Sequence, residues 1–472
     1  MKKIISIFLC ILFLLTALVG CAADKGTGAG SNNSDVVTDS EEVDADFPNI
    51  PKQDNGNRKF TILYPKWSLY DGSYYFSDGV DGDIVGMQSY TRLKAVEDHL
   101  GIEIDPMITT NDIWNGVIDV MTRIKVSGVA GTDDYQMALT HCFNGITSTA
   151  TEGYLTDYGN LPNVDLDRNY WRKDQMASIA INDAMYFGSG SFIIPDPCLM
   201  LFNHDMIKSI PGLSADDLYQ AVRDKKWTLE KMKQYAVNIS AEDSYGFSSI
   251  VDWELIAFMT SEGYYTATKD PNGAFELLDF NEKIDRICNE VEALVEADYS
   301  YKCKDITERD KIMTSGNAMF TTAGLSYSIN IISQTSHDIG ILPYPSISED
   351  VDYQNLDWSG YMVIPSTVKD QELAGAVAEL LCYYGEKNVY PAFFDKLLDG
   401  RTAQKVQDVE MLDLIFDNLV YDPSLTFCNA ADSHLGFLFY VVPRTVRAEG
   451  GVNVASYYEE FYAAASEMLV FS

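Results

Sequence analysis

The sequence predicts an α/β fold built from two α/β units and a helix-rich end. Three observations lead to this prediction. Short apolar runs typical of buried strands alternate with amphipathic helical patterns between residues 60 and 140. A second group of strand-type runs begins near residue 185, and helical patterns dominate after residue 365. Strands that alternate with helices form parallel sheets, because a parallel connection needs a crossover of about a dozen residues.

The first unit reads strand, helix, strand, helix, strand. Its strand-type runs are residues 60–64, 102–104 and 135–140, and Gly101 ends the first helical pattern. The two helical stripes have apolar residues every three or four positions, at Met87, Tyr90, Leu93, Val96 and Leu100 and then at Trp114, Val117, Ile118, Met121 and Ile124. Ligands of such sheets bind beyond the carboxyl ends of the strands. Here those ends lead into residues 67–75 and 140–144.

The second unit begins with a strand-rich stretch at residues 185–206, which is interrupted by glycines and prolines. Ser214 and Thr228 stand where helix N-caps are expected, each just before an apolar stripe. Further strands are predicted at 318–321, 339–342 and 361–364. The chain then closes with helical stripes around residues 373–384, 409–419 and 458–465.

The amino-terminal segment has the pattern of a signal peptide, which we assign to residues 1–20. Lys2 and Lys3 precede sixteen residues, 4–19, of which only Ser6 and Thr16 are polar, a run too short for a membrane-spanning helix. The Leu-Val-Gly-Cys sequence at 18–21 resembles the lipobox of bacterial lipoproteins. That resemblance implies that Cys21 is diacylated and becomes the first residue of the mature chain, anchored by its acyl chains.

Residues 21–58 are predicted to form a flexible acidic linker. This segment is rich in Gly, Ser, Asn and Asp and has few large apolar residues, so it cannot bury enough surface to offset the entropy of ordering. The whole chain has 34 basic and 70 acidic residues, a formal charge of −36. Nucleic acid is therefore excluded as a partner, because binding it requires basic residues that neutralise phosphates.

The common motifs of catalysis, nucleotide binding and metal binding are missing from the sequence. It contains no P-loop, dinucleotide fingerprint, zinc-binding helix or nucleophile elbow, so we predict no catalytic residue, no metal and no cofactor. A pair of carboxylates that cleaves glycosides is not excluded by the sequence. Such a pair has little value as a signal, because close pairs occur by chance among 70 acidic residues. Six cysteines lie in the body of the chain, and Cys288 and Cys303 are close enough in sequence to form a disulfide.

Aromatic residues are the remaining feature of the sequence that indicates a ligand. The chain has 6 Trp, 29 Tyr and 22 Phe, and several follow predicted strands. A sugar ring presents an apolar face that aromatic rings cover and a polar rim that hydrogen-bonding side chains satisfy. Trp114 and Trp227 lie on or beside helices and are interpreted as packing residues.

In the order of its parts the chain resembles the extracellular solute-binding proteins of ABC importers, specifically the family 1 sugar-binding type found as Gram-positive lipoproteins. The resemblance covers residues 60–468. It rests on Arg-Leu-Lys-Ala-Val-Glu at 92–97, Lys-Lys-Trp-Thr-Leu-Glu-Lys-Met at 225–232, Tyr-Gly-Phe at 245–247, Gly-Ile-Leu-Pro-Tyr-Pro at 340–345, and segments 360–368 and 409–417.

The resemblance implies a periplasmic-binding-protein-like fold, in which two α/β lobes are joined by a multi-strand hinge and the ligand cleft lies between them. Lobe 1 would comprise residues 59–195 and 358–410, and lobe 2 residues 196–357 and 411–472. The closed, loaded form would dock on the membrane permease subunits of an ABC transporter. The expected location is the extracellular face of the cell membrane, where a lipid-anchored monomer delivers a carbohydrate, in the first instance an oligosaccharide.

By position in the family pattern, ten residues are expected to contact the ligand: Trp67, Tyr70, His141, Ser191, Asp252, Trp253, Tyr327, Trp358, Tyr361 and His434. Relatives often carry Gly-Pro-Trp where this chain has Gly324-Leu325-Ser326-Tyr327, so either Leu325 or Tyr327 takes the stacking position. Two other functions stay open at this point. One is a cell-surface glycoside hydrolase or lyase, and the other is a glycan-binding lipoprotein without a transporter.

Overall fold

The computed structural model describes residues 44–66, 74–80, 83–109, 113–142, 147–239, 242–250, 254–399, 406–427, 454–467 and 469–470. The predicted signal peptide, Cys21 and most of the predicted linker lie outside these residues. Residues 44–47 form a turn in which the Phe47 amide donates to the Asp44 carbonyl (3.0 Å). The described residues from Pro48 onward belong to one compact unit.

The strands alternate with helices through most of the described chain, as the apolar patterns predict. In chain order the strands are β1 (Arg58–Tyr64), β2 (Ile102–Ile108), β3 (Met137–His141), β4 (Cys198–Asn203), β5 (Tyr245–Ser249), β6 (Ala267–Lys269), β7 (Phe275–Leu277), β8 (Ser300–Lys302), β9 (Ala318–Gly324), β10 (Ile339–Leu342), β11 (Asn355–Leu356), β12 (Gly360–Val363) and β13 (Leu419–Val420).

The helices range from one turn to five turns. They are α1 (Ile84–Leu100), α2 (Ile113–Ala130), α3 (Thr147–Thr151), α4 (Lys173–Ser178), α5 (His204–Lys208), α6 (Ala215–Arg223), α7 (Leu229–Ala236), α8 (Glu254–Ser261), α9 (Glu282–Val295), α10 (Ile306–Thr314), α11 (Leu325–Gln334), α12 (Gln371–Tyr384), α13 (Tyr390–Asp399), α14 (Val406–Asp417), α15 (Pro423–Phe427) and α16 (Val454–Glu467). A π-helical turn, Gly385–Val389, connects α12 to α13.

Two main sheets organise the compact unit. The first has the order β12-β3-β1-β2 and the second the order β10-β4-β9-β5-β8. In the first sheet β1 is parallel to β2 and β3, which confirms the predicted parallel arrangement, whereas β12 is antiparallel to β3. In the second sheet β5 is parallel to β8 and β9, and β4 is antiparallel to β9. The lobe boundaries that the resemblance implies stay a prediction.

Helix α1 shows how local sequence sets the element boundaries. The Asp83 side chain accepts a hydrogen bond from the Val85 amide (3.1 Å) and caps the first turn. Gly101 ends the helix with φ = 62°, a conformation that glycine adopts without a steric penalty. The predicted apolar stripe is only partly buried, because Met87 is 52% and Tyr90 37% exposed.

The buried face of α1 instead includes a charged side chain. Arg92 is fully buried, and its guanidinium donates to the carbonyls of Tyr74 (3.1 Å) and Tyr75 (3.2 Å). It also lies 4.4 Å from the centroid of the Phe192 ring. An apolar count over the helix misses this face, because it treats a charged residue as exposed, whereas the carbonyls of Tyr74 and Tyr75 offset part of the cost of burying Arg92.

The five cysteines of the described residues are buried in the core. Cys288 and Cys303 are both buried, and Cys288 is a free thiol, so the disulfide considered from their spacing is not formed. Cys288 lies on the inner face of α9 with Ile287 and Val291, and burial raises the pKa of its thiol to about 12. Cys142, Cys198 and Cys382 are likewise buried, while Cys428 lies outside the described residues.

Trp227 is confirmed as a packing residue. It is completely buried against Phe320, and its indole N–H donates to the Pro343 carbonyl (2.9 Å). The part of the chain that the structure describes contains no helix long and apolar enough to cross a membrane.

Candidate functional site

The carboxyl ends of the strands in both main sheets lie beside two connecting segments. Gly360, the first residue of β12, pairs with His141, the last residue of β3. Cys198, the first residue of β4, pairs with Gly324, the last residue of β9. The segments that lead into β4 and β12, residues 195–198 and 356–360, are called the crossing segments below. Because ligands of α/β sheets bind at carboxyl ends of strands, the crossing segments mark the candidate site.

Two aspartates join the crossing segments to each other. The Asp196 amide donates to the Asp357 carboxylate (2.9 Å), and the Trp358 amide donates to the Asp196 carbonyl (3.1 Å). The Asp357 carboxylate also accepts hydrogen bonds from the amide and the hydroxyl of Ser359, both at 2.9 Å. Both aspartates are buried. Their side chains therefore hold backbone in place instead of facing solvent.

The Asp196 carboxylate continues this network to helix α11. It accepts hydrogen bonds from the amide (2.8 Å) and the hydroxyl (2.9 Å) of Ser326 in the first turn of the helix. Burial raises the pKa of Asp196 to about 6, although the two bonds from Ser326 lower it. A buried carboxylate with hydrogen bonds to its charged form remains ionised at neutral pH.

Tyr327, the residue after Ser326, is half-buried, whereas Leu325 is completely buried. Of the two residues considered for the stacking position, Tyr327 is thus the one whose ring is partly accessible. The Arg309 guanidinium lies 5.2 Å from the centroid of the Tyr327 ring. Burial and the charge of Asp196 raise the pKa of the Tyr327 hydroxyl, so it stays protonated and can donate a hydrogen bond.

Trp358 and His141 form an aromatic pair at the carboxyl end of β3. Their rings are stacked at an interplanar angle of 25°, with centroids 6.4 Å apart. Trp358 is 8% and His141 2% exposed, so only a small edge of the pair reaches solvent in this conformation. The structure thus brings together two of the predicted site residues and links Trp358 through Asp196 to the helix that carries Tyr327.

Two further predicted site residues make other contacts. The Ser191 hydroxyl donates to the Glu386 carboxylate in the π-helical turn (2.7 Å). Tyr361 has no exposed surface, and its hydroxyl shares a hydrogen bond with that of Thr426 (2.8 Å). Contact of either residue with a ligand stays a prediction. Five predicted residues lie outside the described residues, namely Trp67, Tyr70, Asp252, Trp253 and His434.

Sequence reasoning missed the residues that hold the site together. Asp196, Asp357 and Arg309 belong to no motif that the sequence displays, and Ser326 is only a neighbour of the stacking position predicted at 325 or 327. The available signal was Pro195-Asp196-Pro197, a charged residue between two prolines within an apolar stretch. A buried carboxylate needs hydrogen-bond donors, so that pattern predicts a bonded aspartate but not its partners.

The described residues contain no group of three or more His, Cys, Asp or Glu side chains placed to hold a metal ion. In the candidate site the acidic groups accept hydrogen bonds from the protein itself, and aromatic rings lie beside them. Such an arrangement suits the binding of a small polar molecule with an apolar face.

Neither a family model nor a curated protein matches this sequence. Solved structures do match in three dimensions. A Thermus thermophilus maltotriose binding protein bound with maltotriose has a TM-score of 0.57 and 13% identity, covering 87% of this chain and 100% of that chain. An ABC substrate-binding protein from Listeria monocytogenes in complex with cycloalternan has a TM-score of 0.58 and 10% identity, covering 88% of this chain and 100% of that chain.

A solute-binding protein from Thermotoga lettingae bound with α-D-tagatose gives a similar result, with a TM-score of 0.55, 13% identity, and coverage of 88% of this chain and 100% of that chain. These likenesses span the full length of the neighbours at low sequence identity, so they concern the fold. The chain therefore has the periplasmic-binding-protein-like α/β fold of the solute-binding proteins of ABC transporters, as the sequence predicts.

Proposed function

We propose that this chain is the substrate-binding component of an ABC importer, which captures a carbohydrate and delivers it to membrane permease subunits. One observation carries the proposal. The carboxyl ends of the strands in both sheets meet at the crossing segments, where the Trp358–His141 pair lies beside the helix that carries Tyr327. The fold supports it, because the neighbours described above are bound to maltotriose, cycloalternan and tagatose.

The chemistry of the site fits a sugar. Aromatic rings cover the apolar face of a pyranose, and buried polar groups reject analogues that leave them unpaired. The chain's charge of −36 and the acidic groups at the crossing segments disfavour an anionic ligand. An oligosaccharide is accordingly the expected ligand class.

Binding would close the two lobes around the ligand by a hinge motion. The expected lobes are residues 59–195 with 358–410 and residues 196–357 with 411–472, so each crossing segment lies at a lobe boundary. A ligand favours the closed state when only that state lets both lobes contact it. Periplasmic binding proteins close around their ligands by such hinge motions, which require no chemical step on the ligand.

A thermal-melting screen of the full chain tests this function. The panel contains maltotriose, cycloalternan, tagatose, ribitol and, as a control, an equal concentration of glycerol. A ligand present at ~100 times its Kd stabilises the fold by ~2.7 kcal/mol, which raises the melting temperature of a lobe of roughly 150–250 residues by about 5–10 °C. Unchanged melting with every carbohydrate would contradict the proposal. Recovery of chemically altered sugar would instead support a glycoside hydrolase or lyase.

Attachment to the extracellular face of the membrane through Cys21 is part of the proposal. Two or three acyl chains hold a protein stably at a bilayer, where one is marginal. The test is a Cys21→Ala variant expressed in a bacterium with a single membrane, followed by fractionation and mass spectrometry of the mature amino-terminal peptide. We expect the wild-type peptide to carry acyl chains and the variant to leave the membrane fraction.

A separate experiment distinguishes transport from adhesion. If a strain from which this protein is deleted no longer takes up one carbohydrate, the protein acts in transport and not only in adhesion.

A further inference from the structure

Asp196 contacts both segments that carry the aromatic residues of the candidate site. Its carbonyl accepts a hydrogen bond from the Trp358 amide (3.1 Å). Its carboxylate accepts two hydrogen bonds from Ser326, the neighbour of Tyr327. Asp196 thereby holds the backbone at Trp358 and next to Tyr327 through hydrogen bonds.

Helix α11 depends on this carboxylate for its amino-terminal cap. The N-cap residue is Gly324, which has no side chain to accept a hydrogen bond from the first turn. Free amides at a helix start need an acceptor, and a negative charge there also interacts favourably with the helix dipole. Asp196 supplies the acceptor and the negative charge from a distant part of the chain. Its carboxylate accepts a hydrogen bond from the amide of Ser326, the second residue of the helix.

Gly324 makes the approach of the carboxylate possible. A Cβ atom at this position would lie 2.9 Å from one Asp196 carboxylate oxygen, closer than real Cβ atoms come, and 3.2 Å from the other, which is tighter than most real Cβ contacts. The backbone angles of Gly324, φ = −69° and ψ = 156°, are open to any residue. Position 324 therefore requires glycine because a side chain would collide with the Asp196 carboxylate, and not because of the backbone angles there.

We infer that Asp196 is a positioning residue whose ionised carboxylate holds Tyr327 against the crossing segment of Trp358, so that carbohydrate binding depends on the protonation state of Asp196. This inference rests on the proposed function. Both hydrogen bonds from Ser326 favour the charged carboxylate, so protonation, which removes the charge, weakens them and also weakens the interaction with the helix dipole. The first turn of α11 then loses part of its cap, and Tyr327 loses its fixed orientation.

The charged and titratable groups around Asp196 come from each neighbouring element. Asp357 faces it from the other crossing segment, Arg309 from α10, Tyr327 from α11 and Tyr75 from the segment before α1. Burial, the largest cause, raises the pKa of Asp196 to about 6, Asp357 raises it further, and Ser326 and Arg309 oppose the rise. Protonation therefore falls in the mildly acidic range, and binding should weaken as the pH falls through about 6.

Two measurements on the full chain test the inference. The first is hydrogen–deuterium exchange of peptides that cover α11, without carbohydrate, at pH 7.5 and pH 5 and corrected for the intrinsic exchange rate. The second is the affinity, at the same two pH values, for the carbohydrate of the panel that gives the largest melting shift. The variants are Asp196→Asn and, as a matched control, Glu379→Gln. Glu379 is another buried carboxylate that accepts side-chain hydrogen bonds, from Tyr170 (2.5 Å) and Trp171 (2.7 Å).

We expect wild-type α11 to be more protected at pH 7.5 than at pH 5, and the affinity to fall about tenfold over that range, which is ~1.4 kcal/mol. Asp196→Asn should bind weakly at both pH values and show no pH dependence in α11. Glu379→Gln should keep the wild-type profiles. Wild-type profiles in Asp196→Asn would overturn the inference, because its carboxylate would then have no part in them.

Two further outcomes have a defined meaning. If Asp196→Asn does not fold, Ser326→Ala replaces it, since it removes only the hydroxyl bond and should reduce the pH dependence of α11. An unchanged pH dependence in that variant would again overturn the inference. If no carbohydrate binds the wild type at any pH while the exchange of α11 still follows Asp196, the proposed function fails and the positioning of α11 stands.

Discussion

Ser326 donates two hydrogen bonds to Asp196, one from its backbone amide at 2.8 Å and one from its hydroxyl at 2.9 Å, across a separation of 130 residues. This contact attaches the first turn of α11 to the crossing segment that leads into β4. Hydrogen bonds to a charged group contribute about 1.5–3 kcal/mol, more than those between neutral groups. The contact therefore matters for stability as well as for the geometry of the site.

Replacing Ser326 by alanine measures the hydroxyl part of this contact. We expect Ser326→Ala to lower the free energy of unfolding by about 1–3 kcal/mol, because one hydrogen bond to a buried carboxylate is lost. Ser333→Ala is the matched control, since Ser333 is exposed on the same helix and its change should stay within about 0.5 kcal/mol. Denaturant unfolding of both variants makes the comparison. Equal losses would mean that the Ser326 hydroxyl adds no stability.

Gly101 and Gly131 form a matched pair for testing close approach at a helix end. Both have a positive φ, 62° and 67°. A Cβ at Gly101 would lie 2.8 Å from the Asn55 amide nitrogen, whereas one at Gly131 would meet nothing within 4 Å. Gly131→Ala should cost about 1–2 kcal/mol for the left-handed conformation alone. Gly101→Ala should cost about 1–3 kcal/mol more for the steric conflict, and equal losses in a denaturant titration would refute that contribution.

The raised pKa of Asp422 predicts the direction in which stability changes with pH. Burial raises its pKa from 3.8 to about 6, against the lowering effect of the Thr266 amide. The folded chain then binds a proton that the unfolded chain lacks, so this contribution to stability is full below pH 3.8 and is lost as the pH rises through about 6. The stability of the wild type relative to Asp422→Asn should thus increase by up to ~3 kcal/mol from pH 7.5 to pH 4.

Asp270→Asn is the control with the opposite sign. Asp270 is an exposed turn residue whose carboxylate accepts hydrogen bonds from the Ala274 and Asn272 amides, and these bonds lower its pKa. Its stabilising effect is present at neutral pH and is lost as the pH falls through its pKa. Unfolding experiments should compare Asp422→Asn at pH 7.5 and pH 4, and Asp270→Asn at pH 7.5 and about pH 2.5, below the ordinary pKa of an aspartate. The two differences should have opposite directions, and the same direction for both would refute the assignment of Asp422.

Tyr327 is expected to contribute its ring to carbohydrate binding. Tyr327→Ala should weaken the affinity about tenfold, or ~1.4 kcal/mol, since the apolar face of the sugar loses its partner. Tyr327→Phe keeps the ring and should retain most of the affinity. Isothermal titration with the carbohydrate identified by the melting screen makes the comparison. Wild-type affinity in Tyr327→Ala would remove this residue from the site.

Much of the fold could be predicted from the sequence because the signals are local. The apolar periodicity around Leu93 and Val96 and the glycine at position 101 define α1 in the sequence and in the structure. The runs at 318–321 and 339–342 lie within β9 and β10. Disulfide pairing is different, since Cys288 and Cys303 are near in sequence yet Cys288 remains a free thiol. Proximity along the chain does not fix the direction in which a side chain points.

By itself the sequence determined the order of strands and helices and the α/β fold, because apolar spacing and capping residues act over a few positions. Only the tertiary structure decided which polar residues meet. Asp196 contacts Asp357 across 161 positions and Ser326 across 130. Such partners come together only when the crossing segments are placed beside the strand ends of two different sheets. No local pattern records that placement, since it depends on the packing of the whole chain.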